Sequence, residues 1–494
     1  MIEPPIHRLP QPSLLIGSRR LTDTSGGAQE HVYAATGRVT RSIPLAGERE
    51  VDEAVQEARR ILPYWRTMHP RKRAGLLHAL GEAILRNSEE LAAIQTIETA
   101  VPMSFSAGFP KVAASHFLYN AGWADKLNGE MVPSGTAVFD YTIEEPYGVV
   151  GAIIPWNASL IAASQVLAPI LAAGNTVILK PPVLAPFTAL RLAELALEAG
   201  VSPGVINVVT GDAVAGERLV RHPGISKIHF TGSRETARKV LLAASQNIIP
   251  VCLELGSKSP LLVFSDADLL AAAQQCLSAM VGLSGQGCAL PTRVLVESEV
   301  YTRFLVLLKG LVRRLVVGDP LKPITQMGPL VSAGACERVL AVIDRAQQHK
   351  EGTLLAGGSL VGRDLASGYF IAPTIFGDVQ EESELARDEI FGPVISVMSF
   401  KDDEDALRMA NSSSYGLTAY IYTNDLRRGH RIAAALEAGT VWINGLDALE
   451  PAMPFGGCKQ SGYGRLGGRA GIREFTRPKN VWLSVETTAR RITR

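Results

Sequence analysis

The chain has 494 residues, 47% hydrophobic and 20% charged, with 49 Lys and Arg against 48 Asp and Glu. That balance gives no electrostatic case for nucleic acid or an anionic membrane as partner, and apolar stretches such as 148–155 are too short to span a bilayer. Five widely spaced cysteines without a CxxC, nine histidines without an HxxxH, and an N-terminus lacking a signal-like apolar block read as reduced thiols in a cytoplasmic protein with no metal site.

In chain order, residues 50–98 read as mostly helical. Val51, Ala54, Val55, Ala58 and Ile61 recur at helical spacing, as do Leu76, Leu77, Leu80, Ala83 and Ile84. Residues 136–143 have strand character without an obvious partner, and so does the tail at 481–484. Exposed edges of this kind tend to be covered, often by another subunit. From about 148 the pattern changes. Apolar runs at 148–154, 175–180, 205–209 and 227–230 alternate with helix-like stretches near 160–173, 186–199, 213–221 and 234–246. That alternation implies an α/β fold with a parallel sheet covered on both faces, a Rossmann-like platform. After about 260 the alternation loosens into a second α/β domain. Helices are expected near 271–280, 300–315 and 336–348, and strands at 393–397 and 418–422.

Two residues stand out chemically. Glu254 lies in the apolar run 249–256, where a carboxylate is costly to bury unless something uses it. Cys288 lies in Ser284-Gly285-Gln286-Gly287-Cys288-Ala289, where glycines let a ligand approach closely. The other four cysteines fit the reading of inert small hydrophobes. Glu254 is either a strand-end carboxylate, leaning into water or paired with Lys258, or a base whose pKa a dry site raises. Asn157, in Pro155-Trp156-Asn157, is either a helix N-cap or an amide donor to an oxyanion. Ser233, in Phe230-Thr231-Gly232-Ser233, opens a helix where a phosphate is favoured, although the GxGxxG fingerprint is absent. Lys180 ends a parallel strand, where open sheets bind nucleotides.

As an ordered set these motifs resemble the aldehyde dehydrogenase superfamily. Leu179-Lys180-Pro181, Leu253-Glu254-Leu255-Gly256, Glu389-Ile390-Phe391-Gly392-Pro393 and Pro454-Phe455-Gly456-Gly457 carry the likeness along nearly the whole chain. The resemblance implies NAD or NADP as cofactor and a small-molecule aldehyde as substrate. Cys288 would be the nucleophile, Asn157 and the Cys288 backbone N–H the oxyanion hole, and Glu254 the base that activates water. Lys180, Ser233, Glu389 and Phe391 would hold the cofactor, with Ile153, Pro155, Trp156, Gly232, Leu255 and Gly256 beside it. Phe455, Ala158, Ala162, Gln165 and Gly287 would line the substrate tunnel. The implied domains are cofactor-binding (1–123 and 147–256), catalytic (257–460) and a β oligomerisation element (124–146 and 473–494) in a homodimer or homotetramer.

The departures bear on specificity. Val183 stands where the family often has a glutamate that holds the ribose hydroxyls, so a 2′-phosphate is not repelled and NADP is expected to be accepted. Val166 and Leu466 replace a common lysine and glutamate, which leaves Glu254 with less polar support. Ser257 replaces a usual glycine without a physical reason we can give. Small residues at 158, 162 and 287, with Gln165 in place of a common tryptophan, imply a bulky, apolar or aromatic substrate. Three other readings stay open. The first is a CoA-acylating relative, against which Glu254 argues. The second is a thiol hydrolase or acyltransferase, against which Lys180 and Glu389 argue. The third is a weakly active cofactor-binding homologue.

Overall fold

The computed structural model describes residues 6–445 and 450–485. Residues 1–5 of the expected cofactor domain, 446–449 of the expected catalytic domain and 486–494 of the expected oligomerisation element lie outside the described residues.

Two large sheets organise the chain. In the first, Val149–Ile153, Thr176–Lys180, Ile206–Val208, Lys227–Gly232 and Val251–Leu255 are parallel. The runs are short and largely buried, and all but the polar-rich Lys227–Gly232 are mostly apolar, as a sheet covered on both faces demands. Helices Ser159–Ala172, Phe187–Glu198, Ala213–Arg221 and Arg234–Ser245 follow the first four strands. Alternate residues feed different cores. Val150 and Ala152 pack with Val166, Leu466, Ile472 and Phe475, whereas Val149, Ile228, Phe230 and Leu253 pack on the other side.

This sheet is wider than the sequence pattern suggests. Leu14–Ile16 and Arg19–Leu21 extend one edge antiparallel, and Gly462–Tyr463 pairs antiparallel with the Glu254 strand at the other. Strands of two or three residues carry no readable period. The second sheet also holds five strands that the pattern did not mark: Pro260–Val263, Arg293–Glu297, Thr353–Ala356, Thr374–Gly377 and Thr440–Ile443. All but one join Val394–Phe400 and Thr418–Tyr422 in parallel; Thr353–Ala356 is antiparallel at one edge. Among the described residues no helix is long and apolar enough to cross a membrane.

The two strands expected to lack partners are each other's partner. Val138–Pro146 pairs antiparallel with Thr476–Ser484, and Met131–Val132 adds a third strand. Sequence reading misses this pairing because it spans more than three hundred residues. Asn175, fully buried, fastens this C-terminal segment to the first sheet. Its carbonyl oxygen accepts from the Gly148 N–H at 2.8 Å, and its amide donates to the carbonyls of Ile170 at 3.2 Å and Phe475 at 3.0 Å.

An Asn175→Ala substitution orphans a buried N–H and the Phe475 carbonyl, so it is expected to cost about 2–4 kcal/mol. Denaturant unfolding of the two proteins measures this, and a loss below about 1 kcal/mol would mean that those groups find other partners.

Candidate active site

The carboxyl ends of four parallel strands of the first sheet open onto a cavity of about 650 Å³, where open α/β sheets bind ligands. Its far wall comes from the second sheet's half of the chain: Cys288, the start of helix Ala333–Gln348, Glu389 and Phe391. The cavity brings together Cys288, Glu254 and Asn157 with Ile153, Pro155, Trp156, Lys180, Gly232, Ser233, Leu255, Gly256, Glu389 and Phe391.

Glu254 is buried, and neither carboxylate oxygen has a hydrogen-bond partner among the described residues. Oε1 lies close against Gly456, where an added β-carbon would sit 2.8 Å from it. Burial pushes the Glu254 carboxyl well above the usual range; the Arg465 cation opposes that shift and the Glu474 charge adds to it. The two simpler alternatives fail. The carboxylate does not lean into water, and it makes no ion pair with Lys258, whose ammonium is itself buried without a hydrogen-bond partner.

Cys288 sits on a loop with little freedom. Ser284 and Gly285 hold φ of 54° and 75°, and a β-carbon on Gly285 would overlap the Gly392 backbone. The Ser284 hydroxyl donates to the Gly328 carbonyl at 2.9 Å. The Gln286 amide donates to the Leu283 carbonyl at 3.1 Å, and its oxygen accepts from the Val331 N–H at 3.0 Å. Beyond the cysteine, the Ala289 carbonyl accepts from Thr418 and Tyr420. The residue is partly accessible from the cavity, yet burial pushes its thiol up to about 12, with Glu389 and Glu254 contributing.

Asn157 is not the N-cap of its helix; Ala158 holds that position. Its amide donates to the Gln286 carbonyl at 2.8 Å, two residues before the thiol. An amide carries two N–H donors, so one fixes the cysteine loop and the other is free to meet an oxygen in the cavity.

Several features fit a long, two-headed ligand. A second chamber of about 630 Å³ shares Ile153, Lys180, Pro182, Phe230 and Thr236 with the first. Lys180 stands at that junction, and burial lowers its ammonium to about 8 while Asp212 opposes the shift. Ser233 caps helix Arg234–Ser245 by accepting from the Thr236 N–H at 3.3 Å, and such an N-terminus favours phosphate. Gly256 leaves room for Glu389, because a β-carbon there would run into that carboxylate. Glu389 accepts from the Ser257 N–H at 2.9 Å, and burial pushes it up to about 7. Trp156 and Phe391 meet edge to face at 5.5 Å, and Phe391 holds a φ of 53°, strain of the kind that clusters at ligand sites.

The expected tunnel residues behave differently. Ala158, Ala162, Gln165, Gly287 and Phe455 do not line this cavity. Gly287 does not widen the space: a β-carbon there would lie 2.8 Å from Leu290 and 3.0 Å from Leu283, so leucines already fill it. Phe455 is buried and bridged to Leu466 through its backbone. Sequence reading missed Arg338, Ser332 and Thr231 on the cavity wall. An arginine on an amphipathic helix reads as surface, and Arg338 is exposed, yet the fold sets it at the cavity rim, where it donates to the Ile390 carbonyl at 2.5 Å.

Comparison with known proteins gives a consistent picture. The model of the aldehyde dehydrogenase family matches residues 21–481. A betaine aldehyde dehydrogenase of Rhizobium leguminosarum bv. trifolii is 38% identical over 478 residues, which is 96% of this chain and 98% of the relative. The crystal structure of PnpE from Pseudomonas sp. WBC-3 superposes with a TM-score of 0.95 at 36% identity, covering 98% of this chain and 99% of that one; PnpE is also solved in complex with nicotinamide adenine dinucleotide. Betaine aldehyde dehydrogenase of Staphylococcus aureus in complex with NAD+ superposes with a TM-score of 0.96 at 29% identity, covering 99% and 98% of the two chains.

A thiol held near 12 should be alkylated slowly in the cofactor-free protein. The rate at Cys288 with iodoacetamide is expected to climb roughly tenfold per pH unit from about pH 7 to about pH 10. Peptide mass spectrometry follows it, and a plateau near the ordinary thiol value of about 8.5 would contradict the burial argument.

Proposed function

We propose that this chain, which belongs to the aldehyde dehydrogenase family and is an NAD(P)-dependent oxidoreductase acting on an aldehyde, makes a carboxylic acid through a thioester on Cys288. The observation that carries this reading is one cavity holding a constrained thiol and a buried, unpaired carboxyl.

The Cys288 sulfur loses its proton and adds to the carbonyl carbon, leaving negative charge on the oxygen. The free N–H of Asn157 and the Cys288 backbone N–H stabilise that oxygen; one such donor is worth roughly a hundred- to a thousand-fold in rate. A nicotinamide dinucleotide, when bound, supplies the hydride acceptor. Lys180, Ser233 and the helix N-terminus behind it would hold its ribose and phosphates, and Glu389 and Phe391 its other end. Glu254 then takes a proton from water as the water oxygen attacks the thioester and the carbon–sulfur bond breaks. Its raised pKa makes it a stronger base than an exposed carboxylate. A CoA-acylating route has no use for such a base.

The second chamber supports NADP as well as NAD. Val183 lines it together with the cations Lys180, Arg221 and Lys239 and the carboxylates Asp212 and Glu217, and no carboxylate at 183 itself opposes a 2′-phosphate. Relatives named betaine aldehyde dehydrogenase favour a second reading, with a quaternary ammonium substrate. Such cations are recognised by aromatic faces; among the expected tunnel residues only Phe455 is aromatic, and it is buried and does not line the cavity. We therefore favour an uncharged aldehyde with a bulky apolar or aromatic group. The reading includes the domain division given above and a cytoplasmic homodimer or homotetramer. Exposed Met131, Phe139, Trp482 and Leu483 on the three-stranded sheet support that assembly.

A Glu254→Gln variant should keep a first-turnover burst of reduced cofactor and lose steady turnover by about a hundredfold or more. Stopped-flow absorbance checks this, and unchanged steady turnover would remove Glu254 from the mechanism. In an aldehyde panel, kcat/KM should rank benzaldehyde above acetaldehyde and betaine aldehyde, with NADP within about a hundredfold of NAD. The reverse ranking, or an NAD preference of order a thousandfold, would overturn those parts of the reading.

A further inference from the structure

The face of the first sheet that carries Glu254 also carries a line of polar groups the mechanism leaves unused. Lys227, His229 and Thr231 alternate along one strand, and His229 pairs in register with Cys252 and Thr231 with Glu254 on the next. Ile228 and Phe230 point to the opposite core, so these polar side chains share the Glu254 face. Thr231 lines the cavity with Glu254 and Cys288. Behind it, His229 Nε2 and the Thr231 hydroxyl share a hydrogen bond of 3.0 Å. The other ring nitrogen, Nδ1, is buried without a partner, as are both Glu254 oxygens. Three orphaned polar atoms on one buried face call for an explanation.

The line has an outer end. Lys227 and Glu474 form an ion pair, and the Glu474 side chain is 20% exposed. The Cys252 sulfur and the Glu474 carboxylate both lie against Gly464, within 2.5 and 3.2 Å of where its β-carbon would be. Val166 and Leu466 belong to the apolar core on this face and offer the proton nothing.

We propose that Thr231 and His229 are positioning residues that carry the proton taken up by Glu254 outward to Glu474. The inference rests on the role given to Glu254 above. In hydrolysis the water oxygen bonds to the acyl carbon, the carbon–sulfur bond breaks, Cys288 leaves as thiolate and one water proton passes to Glu254. The Glu254 oxygens and His229 Nδ1 have no direct hydrogen bond among the described residues, so water, which commonly satisfies such orphaned groups, spans the gaps. Glu254 returns the proton through a bridging water to Thr231 Oγ1 as the Thr231 proton moves to Nε2 of His229, in the tautomer that carries its proton on Nδ1. The Nδ1 proton then leaves through a second water past the Cys252 thiol to the Glu474 carboxylate and solvent. No electron changes hands. Burial and the Lys227 charge hold the imidazole down to about 3, so it passes a proton on rather than keeping it.

The test acylates Cys288 with a nitrophenyl ester in the absence of cofactor. Nitrophenolate release times acylation, and intact-protein mass spectrometry times loss of the acyl group. His229→Ala should acylate at the wild-type rate and deacylate at least tenfold slower. Thr231→Val, which keeps the side-chain volume, should lower the deacylation-to-acylation ratio to a similar degree. Hydroxylamine, which removes an acyl group without needing a base, should clear wild type and variants equally; a packing defect would slow that reaction too. Wild-type deacylation in either variant, or equal slowing of both steps, overturns the proposal. If Glu254→Gln deacylates at the wild-type rate, it is the role of Glu254 that fails instead.

Discussion

One hydrogen bond joins the two halves of the molecule where chemistry is expected: the Asn157 amide donating to the Gln286 carbonyl. Asn157 lies in the turn after strand Val149–Ile153 of the first sheet, and Gln286 leads into the loop that presents Cys288. Without that bond the thiol would be fixed only by its own lobe, through Ser284, Val331 and the Ala289 carbonyl. With it, the sulfur is referenced to the same sheet that sets Glu254 and the groove around Lys180. A reacting group displaced by about an ångström loses roughly a hundredfold in rate, so this cross-link bears directly on function.

The second organising fact is dryness. Glu254, Glu389 and Cys288 all titrate above their ordinary values, with burial the largest cause in each case. Each group is therefore neutral more of the time than it would be in water. A protonated thiol is less open to stray oxidation, and charge on Glu389 and Glu254 holds the proton on the sulfur further. The same burial leaves Lys258 and His229 without partners at single nitrogens, so the polar economy of the site is strained on more than one side.

Much of this was legible in the residues. The alternation between 148 and 246 gave the four βα units to within two or three residues at each end, because buried parallel strands are continuous apolar runs. The glycine-flanked cysteine and the carboxylate in an apolar strand flagged the cavity, because each breaks a local rule at a cost. What stayed hidden was non-local. The pairing of Val138–Pro146 with Thr476–Ser484 and the edge strand Gly462–Tyr463 depend on partners hundreds of residues away. Gly287 looked like empty space, but Leu283 and Leu290 fill it, and residue size at one position does not report what its neighbours do. Arg338 and His229 looked like an ordinary surface cation and a strand residue until the fold placed them.

The edge strand Gly462–Tyr463 has a consequence for biosynthesis. It closes the open side of the Glu254 strand, while Gly456 and Arg465 flank that carboxylate and Glu474 stands behind it. All of these lie in the final tenth of the polypeptide. On a ribosome adding about 5–20 residues per second, the thiol loop at 284–288 emerges many seconds before the segment that seals the base. On the roles proposed for Cys288 and Glu254, a nascent chain thus carries its nucleophile long before the segment around its base is in place.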